Sequence, residues 1–254
     1  MSTASFLALL PHWGFGFLLL FARAGSAMML LPGLGESQIP RPIRLAVAVT
    51  LCALVLPTLI ARMPPVPAWI ADAAALIGAE VLAGLWFGWL ARLVLFAWPM
   101  AGDFIAYMIG LSSVFRAGAL GSELNSLFAL AAPALILASG LYALPLVALV
   151  QSYHTLGPGL ALNGGDAARV ILGTFAASFT VAFRLAAPFI LAGVVWQIGL
   201  GLLSRLVPAI QVYFVAMPAQ ILGGLLLLAA LAATMAGGFA DYAREALSHL
   251  GALP

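Results

Sequence analysis

Ser204-Arg205-Leu206-Val207-Pro208-Ala209-Ile210-Gln211-Val212-Tyr213-Phe214-Val215-Ala216-Met217-Pro218 holds Arg205, the only formal charge between Arg184 and Asp241. The apolar runs before Arg205 and after Pro208 are each long enough to cross a hydrocarbon core of about 30 Å, which takes roughly 20 helical residues. A cation, a proline and the amide of Gln211 are gathered between them, where a backbone leaving the membrane must turn. The stretch therefore reads as the tip of a helical hairpin, with Arg205, Pro208 and Gln211 at the tip.

The rest of the chain points to the same solvent. Hydrophobic residues make up 65% and charged residues 7%, against about 25% charged in an ordinary soluble domain. Ten basic and eight acidic side chains over 254 residues are too few to cover a water-soluble surface of that size. The apolar blocks are continuous rather than short and alternating, which excludes a membrane β-barrel. The fold class is all-α, a polytopic membrane protein. The N-terminal stretch Met1–Ala22 has no lysine or arginine, so it reads as a retained first span and not as a secretory signal.

Several function classes fall away. All ten basic residues are arginine and they are scattered, so no cluster exists to track nucleic-acid phosphates. Cys52 is the single cysteine and sits in an apolar run, which leaves no disulfide framework and no cysteine-based metal site. There is no P-loop, HExxH or GxSxG pattern. Ser139 and Ser152 read as helix–helix contacts, and His154 as a helix-end residue. No catalytic, metal or cofactor residues are expected, and the chain is not expected to be an enzyme.

Six apolar blocks can be marked, at about 6–31, 44–60, 68–98, 124–150, 167–203 and 208–236. They predict about six long helices arranged as hairpins and kinked by Pro99, Pro133, Pro145, Pro188 and Pro218. The breaks are rich in glycine and proline, as in Pro32–Pro42 and Met63–Pro67. Gly110–Glu123 differs from the other breaks, being too rich in small residues for a good helix and too apolar for a solvated loop. The arginine distribution leans toward cytoplasmic odd-numbered connectors, with both termini outside.

Arg23, Asp72, Glu80, Arg92 and Arg184 lie within or at the ends of the apolar blocks. A charge at the bilayer centre costs at least about 2.5–3.5 kcal/mol, so each needs a partner, a water path or a place outside lipid. Glu80, Gly84, Gly88 and Arg92 recur every fourth residue and share one helix face. Small residues on such a face allow close helix approach. Arg23, Glu80, Gly84, Gly88, Arg92 and Arg184 are therefore expected to serve helix packing and ion pairing. A proton or ion relay through Asp72 and Glu80 is the alternative.

An ordered series of segments resembles the FliR family of type III secretion export-gate subunits. It runs through Phe21-Ala22-Arg23, then Pro32, Gly35, Pro40 and Arg44, then Glu80 with Gly84 and Gly88. It continues with Ala101-Gly102-Asp103-Phe104-Ile105, Gly110-Leu111-Ser112, and Ser152-Tyr153-His154-Thr155-Leu156 with Gly159. Phe183-Arg184-Leu185-Ala186-Ala187-Pro188-Phe189 and Leu203-Ser204-Arg205-Leu206-Val207-Pro208 close it. The chain departs from the family at Met108, where glutamine is common, in Phe115-Arg116-Ala117-Gly118, where the family often has Asp-Pro, and at Ala209, where a polar residue commonly follows the hairpin proline.

The resemblance implies a single domain over 1–254, packed in a helical hetero-oligomeric gate. Residues 1–155 would be similar to a FliP-like unit and 166–240 to a FliQ-like hairpin. FliP-like and FliQ-like subunits would be its partners, with FlhB-like and FlhA-like export components and membrane lipid around them. Unfolded flagellar proteins would pass through the conduit, in the bacterial inner membrane at the flagellar basal body. Segment 110–123 would supply a central plug, with Val114 and Phe115 sealing the lumen and Gly118 and Gly121 giving mobility. An injectisome gate and a secondary transporter using Asp72, Glu80 or Arg184 are the competing readings.

Overall fold

A computed structural model describes residues 3–36, 39–111, 121–160, 163–206 and 212–250, and every regular element among them is helical. In chain order these are α1 (Thr3–Met28), α2 (Arg41–Leu59) with a single 3-10 turn at Ile60–Arg62, α3 (Ile70–Leu95), α4 (Ala97–Met108), α5 (Gly121–Ala138), α6 (Ala143–Thr155), α7 (Gly164–Leu206) and α8 (Val212–His249).

Four helical segments among the described residues are long and apolar enough to cross a membrane: Arg41–Arg62, Ile70–Met108, Gly164–Leu206 and Ala216–His249. The broken pair Leu127–Ala138 and Ala143–Thr155 makes a fifth if counted as one span.

The helix breaks have local causes. Pro99 has no N–H for the Leu95 carbonyl four residues earlier, and its ring crowds that carbonyl. The helix is interrupted there at Phe96, between α3 and α4. The apolar block expected over 124–150 is two helices bent by 74°. Gly140 adopts φ +72, its N–H bonds to the Leu137 carbonyl, and the Leu141 N–H reaches back to Ile136 at 3.1 Å. This paired closure is a Schellman ending, which favours glycine at the left-handed position. Pro188 and Pro218, by contrast, lie inside the uninterrupted helices α7 and α8.

The chain forms two compact units, and several helices pass from one to the other. The first comprises residues 1–94, 136–175 and 244–254; the second comprises 95–135 and 176–243. In the first unit, α2 packs antiparallel to α1. A Cβ on Gly16 would lie 3.0–3.4 Å from Ile60, Met63 and Leu56, and His12 Nε2 lies 3.3 Å from the Ile60 carbonyl. The connector before α2 is tied down by Arg44, which donates to the backbone oxygens of Glu36 and Ile39.

In the second unit, α7 and α8 run antiparallel. The Tyr213 hydroxyl donates to Gln197 at 2.9 Å, and far along the pair the Ser178 and Tyr242 hydroxyls are 2.8 Å apart. Its core is aromatic. Trp98 packs between Phe128 and Phe239 with its ring tilted against both, centroids at 5.9 and 5.2 Å. Phe104 meets Phe179 and Phe183 edge-on.

No neighbouring atom lies within 4 Å of a Cβ built on Gly140, so substitution there tests backbone conformation alone. Gly140→Ala is expected to destabilise the protein by about 1–2 kcal/mol, the cost of a left-handed L-residue, and Gly140→Asn by less. Urea unfolding midpoints of the detergent-extracted protein check the order.

Candidate functional site

Two constellations stand out, one in each unit. The first lies between α1, α3 and the end of α6. Arg23 is 1% exposed and Glu80 is 0% exposed. Arg23 Nε donates to Glu80 Oε2 at 2.7 Å and Nη2 to Oε1 at 3.1 Å, a two-pronged pairing of guanidinium and carboxylate. Nη1 donates to the Ser152 hydroxyl at 3.3 Å and to the Leu156 carbonyl at 3.0 Å. The guanidinium carbon sits 4.1 Å from the centre of the Tyr153 ring, a cation–π contact. Tyr153 is in turn held by a 3.4 Å bond to the Leu20 carbonyl.

The second oxygen of Glu80 also accepts the Gly159 N–H at 2.6 Å. Gly159 adopts φ +79, a backbone state that turns its N–H toward the carboxylate and disfavours any other residue. Every group that gives up water here gains a protein partner, which is the condition for a charge to persist in low dielectric.

Two glycines let the helices come this close. A Cβ on Gly84 would collide with the Arg23 carbonyl and the Ser26 hydroxyl, and one on Gly88 would meet the Ala27 carbonyl and Leu30 Cβ at 2.8 Å. Arg23, Ser26 and Ala27 thus advance along α1 as Glu80, Gly84 and Gly88 advance along α3, so the two helices run parallel. Arg92, one step further along the same face, reaches Glu36 at 3.9 Å with both side chains partly exposed. Asp72 is exposed in the first turn of α3, apart from the paired Glu80. One cavity beside Arg23 measures about 10 Å³, at most a single water.

The second constellation is the end of α4. Gln220 Nε2 on α8 donates to the Met108 carbonyl at 2.9 Å. Gly110 follows with φ +82. Met108 rests on Gly193 of α7, where a Cβ would lie 3.1–3.3 Å from it. Ile109 occupies the space that a Cβ on Gly224 of α8 would need.

The remaining expected residues are separate from both. Arg184 is exposed near the middle of α7, and Arg205 is exposed in its last turn. Gly121 opens α5. Val114, Phe115 and Gly118 lie outside the described residues, as do Pro208 and Gln211. Among the described residues no His, Cys, Asp or Glu cluster could hold a metal ion. Tyr153 entered the sequence reading only within the family-like run Ser152-Tyr153-His154-Thr155-Leu156 and was given no contact there, while Gln220, Gly193 and Gly224 were given no role.

The sequence matches the family described as Bacterial export proteins, family 1, over residues 15–246. The chain belongs to this family. It is 31% identical over 233 residues to the flagellar biosynthetic protein FliR of Caulobacter vibrioides, covering 90% of this chain and 93% of that protein. The FliR of Bacillus subtilis is 27% identical, with 81% of each chain covered. That of Aquifex aeolicus is 28% identical over 89% of this chain and 90% of its own. The match spans Arg23, Glu80, Gly159 and Gln220, so both constellations lie inside the family region of this bacterial export protein.

Removing one partner of a buried ion pair leaves the other uncompensated, typically at about 3–5 kcal/mol. Glu80→Ala and Arg23→Ala are each expected to destabilise the first unit by that amount. The double replacement Arg23→Met with Glu80→Leu should cost less than either single change, because no lone charge remains buried. Denaturation midpoints of the four proteins in one detergent read the coupling.

Proposed function

We propose that the chain is a subunit of the flagellar type III protein export gate. With FliP-like and FliQ-like subunits it forms the conduit for unfolded flagellar proteins across the bacterial inner membrane. The length of its apolar helices carries this reading. Helix α7 has 43 residues, or ~64 Å at about 1.5 Å per residue, roughly twice a hydrocarbon core. The chain itself buries only 22% of the apolar window of α7 and 11% of that of α8.

Lipid can cover about half of such a helix, so the remainder calls for protein neighbours. Arg184, exposed and charged at mid-helix, fits a polar or anionic group on such a neighbour better than it fits lipid. In this assembly residues 1–155 take the FliP-like role and 166–240 the FliQ-like hairpin role. The hairpin tip, with Arg205, Pro208 and Gln211, faces FlhB-like and FlhA-like components. The flagellar branch is favoured over an injectisome because all three relatives carry flagellar names. Arg23 and Glu80 are buried and engaged with each other, which speaks against their use as solute ligands in a secondary transporter.

Segment 110–123 closes the conduit at rest, with Val114 and Phe115 as its seal. Deleting residues 112–121 is expected to leave the co-expressed gate assembled but leaky to small ions. Conductance of the purified assembly in planar bilayers measures this, and a deletion gate as tight as the wild type would rule the closing role out.

A further inference from the structure

We infer that the first unit carries a binding site for an anionic phospholipid: a groove between α1, α2 and α3 takes an acyl chain, and Arg41 and Arg44 at one end of it hold the headgroup phosphate. The site lies wholly in described residues of the first unit and does not depend on the closing role of 110–123.

The groove has a volume of about 800 Å³, within the range of about 300–1,000 Å³ common for ligand clefts. Phe21, Gly25 and Met29 of α1, Leu45 and Ala48 of α2 and Leu85 of α3 form its apolar walls. Gly25 opens the space: the atoms nearest a Cβ built on it belong to the Phe21 ring, at 3.6–3.8 Å. Met29 and Leu45 are 63% and 54% exposed, so the chain leaves this apolar surface uncovered.

The charge is gathered at one end. Arg41 and Arg44 line the groove and no carboxylate does. Because α2 runs antiparallel to α1, the two arginines fall toward Met29 and Ala48 falls toward Phe21. Arg44 is fixed in place, with Nε and Nη2 donating to the carbonyls of Glu36 and Ile39. Its Nη1 has no partner among the described residues. Glu36 turns its carboxylate to Arg92, 3.9 Å away, so it does not neutralise the arginine pair.

Depth selects the occupant. The apolar segment Arg41–Arg62 has 22 residues, little more than the roughly 20 that cross a hydrocarbon core. Arg41 therefore starts the span at the level of lipid phosphates, and Arg44 lies nearly one turn deeper, where a cation needs a counter-charge. Basic pockets between membrane helices bind anionic headgroups on this principle, and a guanidinium matches a phosphate in geometry as well as charge. A purely apolar partner helix would leave the arginines without an anion, and a free phosphate would leave the walls bare. A phospholipid satisfies both ends.

Native mass spectrometry tests this on the gate purified with its partner subunits and on the chain alone in the same detergent. The probes are phosphatidylglycerol and phosphatidylcholine with the same acyl chains. Both preparations are expected to bind phosphatidylglycerol in preference to phosphatidylcholine. Arg41→Gln should weaken phosphatidylglycerol binding roughly fivefold, the share of one arginine near a lipid surface, and leave phosphatidylcholine unchanged. Arg41→Lys, which keeps the charge, should retain the preference. Gly25→Leu fills the groove and should weaken both lipids alike; if it does not fold, the Arg41 pair carries the test.

Equal uptake of the two lipids by wild type and Arg41→Gln would overturn the site, as would full displacement of the lipid by soluble glycerol phosphate. Uptake by the chain alone but not by the assembled gate would overturn it too, because a partner subunit then covers the groove. The measurement on the chain alone stands whether or not the export-gate reading does.

Discussion

The first unit depends on one buried ion pair. Arg23 cannot neutralise itself, so α1 can enter an apolar interior only if an acceptor for the guanidinium is already in place. Glu80 supplies it in two-pronged geometry, and Gly159, Ser152, Leu156 and Tyr153 satisfy what remains. Four separate parts of the chain are thereby fixed to one point. Apolar packing alone would let parallel helices slide, whereas a pair of this geometry tolerates a single register.

Close approach is the second constraint, and it serves both units. Gly84 and Gly88 admit α1 to α3, while Gly193 and Gly224 admit the end of α4 between α7 and α8. In an apolar solvent the hydrophobic effect does not draw helices together, so van der Waals contact and hydrogen bonds must. Glycine at a contact shortens the distance over which both act. The same economy leaves much of α7 and α8 uncovered within the chain, consistent with helices that pack against other subunits.

Much of this was legible from spacing. The four-residue recurrence of Glu80, Gly84, Gly88 and Arg92 placed them on one face, because a helix repeats near that interval. The Pro99 interruption and the length of α7 also follow from local rules. The break at Gly140 was missed, since Ala138-Ser139-Gly140-Leu141 reads as an apolar run with one glycine until the left-handed φ is known. The contacts of Tyr153 and Gln220 were not legible for a different reason. Their partners are 133 and 112 residues away in sequence, and no periodicity within one helix records a contact between helices.

The sequence by itself determined the solvent, the helical class and the charges that needed company, because these follow from composition and from the cost of moving ions out of water. Its ordered segments also carried the family likeness. Only the tertiary structure decided which partner each charge takes: Glu80 for Arg23, Glu36 for Arg92, and none among the described residues for Arg184. The physical reason is that ionisation cost belongs to a residue, whereas its compensation depends on distance and angle between groups that the chain must first bring together.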